Sequence, residues 1–191
     1  MRHAIVVLLM LFSSFCFAQV ARIQPGAEQS QLYLPLLAGK RVGVVANQTS
    51  QVGKNHLVDF LLQHHVAVKK IFAPEHGFRG NVDAAIKNSV DTRTGLPIIS
   101  LYGKKFTPND KDLKDIDVLI FDIQDVGVRF YTYISSLQKL MQAAAEHHIP
   151  FIILDRPNPN GFLCRWPRIR YSLSFVHRHA TCPHRVWHDY R

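Results

Sequence analysis

The chain has 191 residues, enough for one domain with an appendage, and a formal net charge of +9. The charge suggests a nucleic-acid partner, but its distribution weakens that reading and none is expected: residues 162–191 hold six Arg against Asp189 alone, whereas residues 19–161 hold sixteen Lys and Arg against thirteen Asp and Glu, with no basic face interleaved with aromatics. Cys16, Cys164 and Cys182 all lie outside residues 19–161, so that core relies on apolar burial, and a Cys164–Cys182 bridge is disfavoured.

Met1-Arg2-His3 is a basic start, Ala4 to Phe15 is an apolar run, and Cys16-Phe17-Ala18 has the form of a cleavage site. Residues 1–18 therefore read as a secretory signal peptide, too short for an ordinary membrane span, and the mature chain is expected to be secreted or periplasmic without stable membrane insertion. Residues 19–39 form a polar linker and a short helix, Gln31 to Ala38, stopped by Gly39. The domain proper spans 40–161. Its predicted elements are a strand from Arg41 to Ala46, a helix from Asn55 to His65, and a strand from Val66 to Phe72. A polar loop covers Asn81 to Gly95, followed by a strand from Leu96 to Leu101. Thr107-Pro108 reads as an N-cap and first helical residue, starting a helix that runs to about Asp115. Val118 to Phe121 is the most apolar strand, Ser135 to His148 an Ala-rich helix, and Phe151 to Leu154 the last strand. Strands alternating with helices imply an α/β fold with a parallel sheet covered on both faces. His64-His65 and His147-His148 each end a helix, where imidazoles interact well with the helix dipole; that account is favoured over a metal site. Residues 162–191 show neither periodicity and form an aberrant tail, expected to be disordered.

Polar residues follow every strand. Asn47-Gln48-Thr49 follows the first. Glu75, His76 and Arg79 follow the second, on a turn made by Pro74, Gly77 and Gly80. Tyr102-Gly103 follows the third. Asp122, Gln124 and Asp125 close the fourth, ahead of Arg129, Tyr131 and Tyr133, and Asp155-Arg156 follows the fifth. In a parallel sheet these ends share one edge, where α/β folds bind ligands. There is no Gly-x-Gly-x-x-Gly turn and no P-loop, so no nucleotide is expected. His76 with Asp122 or Asp125 lacks a metal-site spacing, and no metal or other cofactor is expected. Paired carboxylates suit glycosidic bond cleavage, one protonating the leaving oxygen and another acting at the anomeric centre or on water. A carboxyl such as Glu75, walled by Phe72 and Phe78, suits the acid role. The blander readings stand beside these: Glu75 as a structural partner of Arg79, Asp122 as an acceptor for backbone N–H groups, Asp155-Arg156 as an ion pair bracing the proline-rich turn, and the tyrosines as core.

At these residues the chain resembles a known family, the exo-acting β-N-acetylmuramidases of peptidoglycan recycling, long catalogued as a domain of unknown function. The resemblance rests on Gly43 to Thr49, Phe72 to Gly80, Thr94 to Pro97, Ser100 to Gly103, Asp117 to Ser136 and Leu154 to Gly161, above all on Phe121-Asp122-Ile123-Gln124-Asp125-Val126-Gly127-Val128-Arg129-Phe130-Tyr131-Thr132-Tyr133. It implies a Rossmann-like domain without a nucleotide, joined to a smaller C-terminal domain across a cleft. It also implies release of non-reducing-terminal N-acetylmuramic acid from peptidoglycan fragments, with Glu75 as acid/base and Asp122 or Asp125 as second polar partner. Arg129 or Arg79 is then the expected ligand of the lactyl carboxylate. Asn47, His76, Gln124, Tyr131, Tyr133, Asp155 and Arg156 complete the expected binding set, and muropeptides are the expected partners.

The chain departs from the family after Asn158-Pro159-Asn160-Gly161. The smaller C-terminal domain is expected to be missing, with a one-nucleotide frameshift near Phe162 as the expected cause, because the tail can be back-translated so that a neighbouring frame restores family-like sequence. On that expectation the chain is weakly active or inactive. The alternatives are a non-catalytic muropeptide-binding remnant and a basic surface or nucleic-acid binder that depends on the Arg-rich tail.

Overall fold

The computed structural model describes residues 23–80, 88–103, 105–128 and 130–160. The segment expected to be a signal peptide, the tail with its two cysteines, and Arg129 lie outside the described residues.

A six-stranded sheet organises the chain. Its strands are β1 (Arg41–Ala46), β4 (Ala67–Ala73), β5 (Ser89–Val90), β6 (Pro97–Ser100), β7 (Val118–Asp122) and β8 (Phe151–Ile153), in the order β5-β6-β4-β1-β7-β8. A separate two-residue hairpin pairs β2 (Gln51–Val52) with β3 (Asn55–His56). All main pairings are parallel, and only β5 runs antiparallel, against β6. Leaving β5 aside, the parallel strands lie in chain order three-two-one-four-five, the doubly wound arrangement that reverses between β1 and β7. The helices are α1 (Ser30–Leu37), α2 (Leu57–Gln63), α3 (Asp110–Leu113) and α4 (Tyr133–Glu146). Among the described residues no helix is long and apolar enough to cross a membrane.

Alternation along the strands splits the core in two. Val42, Val44, Ala46, Val118 and Ile120 pack with Tyr33 and Leu37 of α1 and Leu57, Val58 and Leu61 of α2. Val45, Leu119 and Phe121 face the other way, onto Leu113 of α3 and Leu140, Ala143 and Ala144 of α4. The period of two in each strand is what presents both faces to helices. Gly43 is part of this packing: a Cβ there would sit 2.7 Å from Leu119 Cδ2 and 2.9 Å from Phe72 Cε2, so its bare backbone lets those two side chains close over the strand.

Three expected elements shift. The helix read from Asn55 begins at Leu57, because Gly53 (φ +58°) turns the chain into the small hairpin and His56 becomes the N-cap, its Nδ1 accepting from the Val58 N–H at 3.2 Å. The helix expected from Thr107 begins at Asp110. Asn109 caps it in a reciprocal box with Asp112, bonds of 2.8 and 3.1 Å, which outcompetes a cap two residues earlier. The loop expected over Asn81 to Gly95 contains β5, whose two residues escape any periodicity argument.

Candidate active site

Parallel pairing brings the C-terminal ends of β1, β4, β7 and β8 to one edge of the sheet. At the crevice between β1 and β7, where such sheets commonly hold a ligand, the chain fills the space with its own turn. Asn47 is fully buried, and its Oδ1 accepts from the Thr49 N–H at 2.9 Å and the Thr49 hydroxyl at 2.6 Å. Its N–H donates to Ser50 Oγ at 3.0 Å, and the Ser50 hydroxyl donates to the Asp122 carbonyl. Thr49 Oγ1 in turn accepts from the Gln124 N–H at 3.0 Å. His56 Nε2 donates to the Asn47 carbonyl at 2.9 Å, the tautomer required by Nδ1 accepting from Val58. Burial pushes the His56 pKa down and keeps this ring neutral.

Asp122 is fully buried at the end of β7. Arg156 donates to both carboxylate oxygens, Nε to Oδ1 at 2.5 Å and Nη2 to Oδ2 at 2.9 Å, and Nη2 also reaches the Gln51 carbonyl at 2.8 Å. Burial pushes the Asp122 carboxyl up, and the guanidinium works against that rise. A group sealed in this way presents no oxygen to a sugar, which corrects the expectation of Asp122 as a catalytic partner and of Arg156 as a substrate ligand. Asp155 does not form the expected pair with the Arg156 guanidinium. It is exposed, its Oδ1 accepts the Arg156 backbone N–H at 2.9 Å, and its carbonyl accepts from the Gly26 N–H at 2.7 Å.

Arg79 also differs from expectation. Nη1 and Nη2 bind Asp59 at 3.0 and 3.1 Å, while Nε and Nη2 bind Asp91 at 3.0 and 2.9 Å. Two carboxylates already neutralise this guanidinium, so it clasps the Glu75 turn to α2 and to the segment after β5 and is not left free for a lactyl carboxylate. Phe78, beside it, packs edge-on to His56 with centroids 4.5 Å apart. Phe72 and Phe78 belong to opposite faces of the sheet and do not together wall Glu75.

Glu75 is half-buried on the turn after β4, where His76 (φ +66°) and Gly77 (φ +77°) are both left-handed. Its Oε1 accepts from the Thr132 hydroxyl, and its backbone carbonyl accepts from the Tyr133 hydroxyl at 3.3 Å. The Tyr131 and Tyr133 rings meet edge to face, centroids 4.8 Å apart. Burial raises the Tyr133 phenol, the nearby Asn47 amide opposes this, and the Glu75 charge adds to the rise. Burial, then Asp125 and Glu75, raise Tyr131. Both phenols are thus held as neutral hydroxyls; that of Tyr133 is already given to the Glu75 carbonyl, and that of Tyr131 is suited to donate to a sugar oxygen. Asp125 is half-buried, with Oδ1 accepting from the Gly127 N–H at 3.1 Å, and lies close enough to act on Tyr131. Gln124 is used structurally, its side-chain nitrogen bridging the Asp125 and Pro157 carbonyls at 2.7 and 3.0 Å. His76 is exposed. Gly127 (φ +68°) lets the Asn158 side chain approach to where a Cβ would be only 2.2 Å from Nδ2, so the Pro157–Asn160 turn closes over the loop after β7.

Glu75, Asp125, Tyr131 and Tyr133 thus cluster, with His76 exposed beside them on the Glu75 turn, while Asp122, Gln124 and Arg156 are engaged in hydrogen bonds that brace the chain around them. Sequence reasoning missed Thr132, Ser50 and His56. Thr132 stands immediately before α4, and placing that helix start at Ser135 hid its position. Two surface hollows among the described residues lie away from this cluster. One of about 460 Å³ lies at the opposite sheet edge, lined by Leu113, Ile116, His147 and Ile149, and one of about 290 Å³ lies beside Arg79, Lys54 and Arg93. Hydrogen bonding and burial, not hollow size, identify the site. Among the described residues no three His, Cys, Asp or Glu side chains come together to hold a metal ion.

The chain is similar to a known family and to solved structures. The family model described as "Exo-beta-N-acetylmuramidase NamZ, N-terminal" matches residues 42–185, running past Gly161. The chain is 44% identical over 133 residues to the peptidoglycan beta-N-acetylmuramidase NamZ of Bacillus subtilis (strain 168), a match covering 68% of this chain and 32% of that protein. Crystal structures of two DUF1343 family proteins from Bacteroides fragilis NCTC 9343 superpose with TM-scores of 0.63 and 0.64 at 49% and 47% identity, each covering 72% of this chain and 35% of the neighbour. The chain therefore spans about a third of the length of these relatives. By the reach of the family match and by this identity, the chain belongs to the NamZ exo-beta-N-acetylmuramidase family, matching its N-terminal part.

Proposed function

We propose that this chain carries the Glu75 side of a glycosidase site that removes N-acetylmuramic acid from the non-reducing ends of peptidoglycan fragments, and that it acts in an exported, secreted or periplasmic setting. The observation that carries the reading is the Glu75 carboxyl, held half-buried at the C-terminal sheet edge among neutral hydroxyls, while the neighbouring strand-end carboxylate of Asp122 is sealed by Arg156. Glu75 is the acid/base: it protonates the glycosidic oxygen and then takes a proton from water. Asp125 is the second polar group, with the sugar's own 2-acetamido oxygen as the alternative at the anomeric centre. Tyr131 offers a ring face and hydroxyl to the sugar. With Arg79 engaged, Arg129 is the proposed ligand of the lactyl carboxylate.

The test is hydrolysis of a chromogenic N-acetylmuramic acid glycoside by the full chain and by Glu75→Gln. The variant is expected to lose roughly 10²- to 10⁴-fold in kcat with an unchanged circular dichroism spectrum. Full activity in the variant would sink the Glu75 assignment. Saturable binding of the glycoside by the unmodified chain without turnover would make the chain a muropeptide binder instead.

A further inference from the structure

We infer that Thr132 is a positioning residue for Glu75, an inference that rests on the reading of Glu75 as acid/base. Thr132 occupies the N-cap position of α4, yet its backbone is helical (φ −83°, ψ −7°) and its side chain makes no cap hydrogen bond. A threonine at that position ordinarily turns its hydroxyl to an N–H of the first helical turn. Here the hydroxyl donates to Glu75 Oε1, 57 residues away in the chain. The next residue, Tyr133, is buried and donates to the Glu75 carbonyl at 3.3 Å. Two consecutive residues therefore grip the side chain and the backbone of Glu75. Their own support is firm, because α4 buries Leu140, Ala143 and Ala144 against the sheet.

Glu75 needs that grip. It belongs to no helix or strand and precedes two left-handed residues, so its own turn does not select a side-chain rotamer. A donor on Oε1 selects one, and among the described residues Oε2 receives no hydrogen bond. Oε2 is then the oxygen that carries the transferable proton. That proton passes from Oε2 to the glycosidic oxygen as the anomeric C–O bond breaks and its electron pair moves to that oxygen, and a water proton returns to Oε2 as the new C–O bond forms. Orientation of this kind contributes through the geometry of the reacting atoms.

Thr132→Ser keeps the hydroxyl, and Thr132→Val removes it with little change in shape. Thr132 is exposed, so neither substitution threatens the core. In crystal structures of the full chain, Glu75 is expected in one rotamer in the unmodified protein and in Thr132→Ser, and in several rotamers in Thr132→Val. On the chromogenic substrate, Thr132→Val is expected to lower kcat roughly ten- to a hundredfold with little change in KM, while Thr132→Ser restores it. An unchanged Glu75 side chain in Thr132→Val, or a serine variant that behaves like the valine one, overturns the proposal. If the unmodified chain shows no hydrolysis, the glycosidase reading falls, and the crystallographic comparison still decides whether Thr132 orients Glu75.

Discussion

At Asp122 and Arg156 a buried charge is tolerated because it is paired. Asp122 is fully buried and the Arg156 side chain is 9% exposed, so neither end is offset by water. Arg156→Ala leaves the carboxylate without its partner and is expected to cost about 3–5 kcal/mol, read as a drop in the midpoint of chemical denaturation. The variant should recover stability as pH falls through the folded-state pKa of that carboxyl. Its unpaired carboxyl then has a folded-state pKa well above the unfolded value, so the loss is complete only above that folded pKa. The sequence marked both residues as polar groups after strands, but it could not show that they face each other across 34 positions. Arg79 is the same case. Nothing local announces that its partners are Asp59 and Asp91, because ion-pair choice depends on how α2 and the segment after β5 pack around the turn.

Among the elements, the two histidine pairs carry the clearest local logic. His64 and His147 are C-cap residues, and His65 (φ +59°) and His148 (φ +55°) take the left-handed position that follows. The Val66 N–H reaches back to the Leu61 carbonyl at 3.0 Å, and the Ile149 N–H to the Ala144 carbonyl at 2.8 Å, so both helices close with the same reciprocal end motif. Glycine is the usual occupant there, since a side chain at positive φ is strained. His65→Gly and His148→Gly are each expected to raise stability by about 0.5–1 kcal/mol, because glycine takes the left-handed position without strain. Paired thermal melts check this, and a fall in Tm for either variant would contradict it. The strands Arg41–Ala46 and Val118–Asp122 were legible because both faces of the sheet are covered and their runs are almost wholly apolar. The β2–β3 hairpin and β5 were not, because two residues carry no period.

For the whole molecule, His56 and Asp91 both contribute to a loss of stability in acid. Burial lowers the His56 pKa in the fold, with Arg79 acting in the same sense and the Asn47 carbonyl, Asp59 and Asp91 against it. At Asp91 burial acts upward, but hydrogen bonds from Arg79 and Thr94 outweigh it and hold the carboxyl below its ordinary value. In both cases the unfolded chain takes up a proton first, so stability falls as pH falls. The His56 contribution is complete above about pH 6.5 and erodes below it, and that of Asp91 erodes below about pH 4. Denaturation midpoints from pH 8 to pH 3 should show both declines, and His56→Gln, which cannot take up the proton, should remove the first. A midpoint rising between pH 6.5 and 5 would contradict the assignment.

The order of strands and helices, the coverage of both sheet faces and the gathering of polar residues at one edge were all determined by the sequence itself. They follow from residue periodicity, which acts over a few residues at a time, and from the alternation of strands with helices, which makes the sheet parallel and sets its polar strand ends on one edge. Only the tertiary structure decided which of those polar residues stay open. Arg156 closes over Asp122, Arg79 is held between Asp59 and Asp91, and Thr132 reaches Glu75. Each of these contacts joins residues 12 or more positions apart, and a charge is released to solvent or sealed away only when the packing of distant elements brings its partner within hydrogen-bond reach.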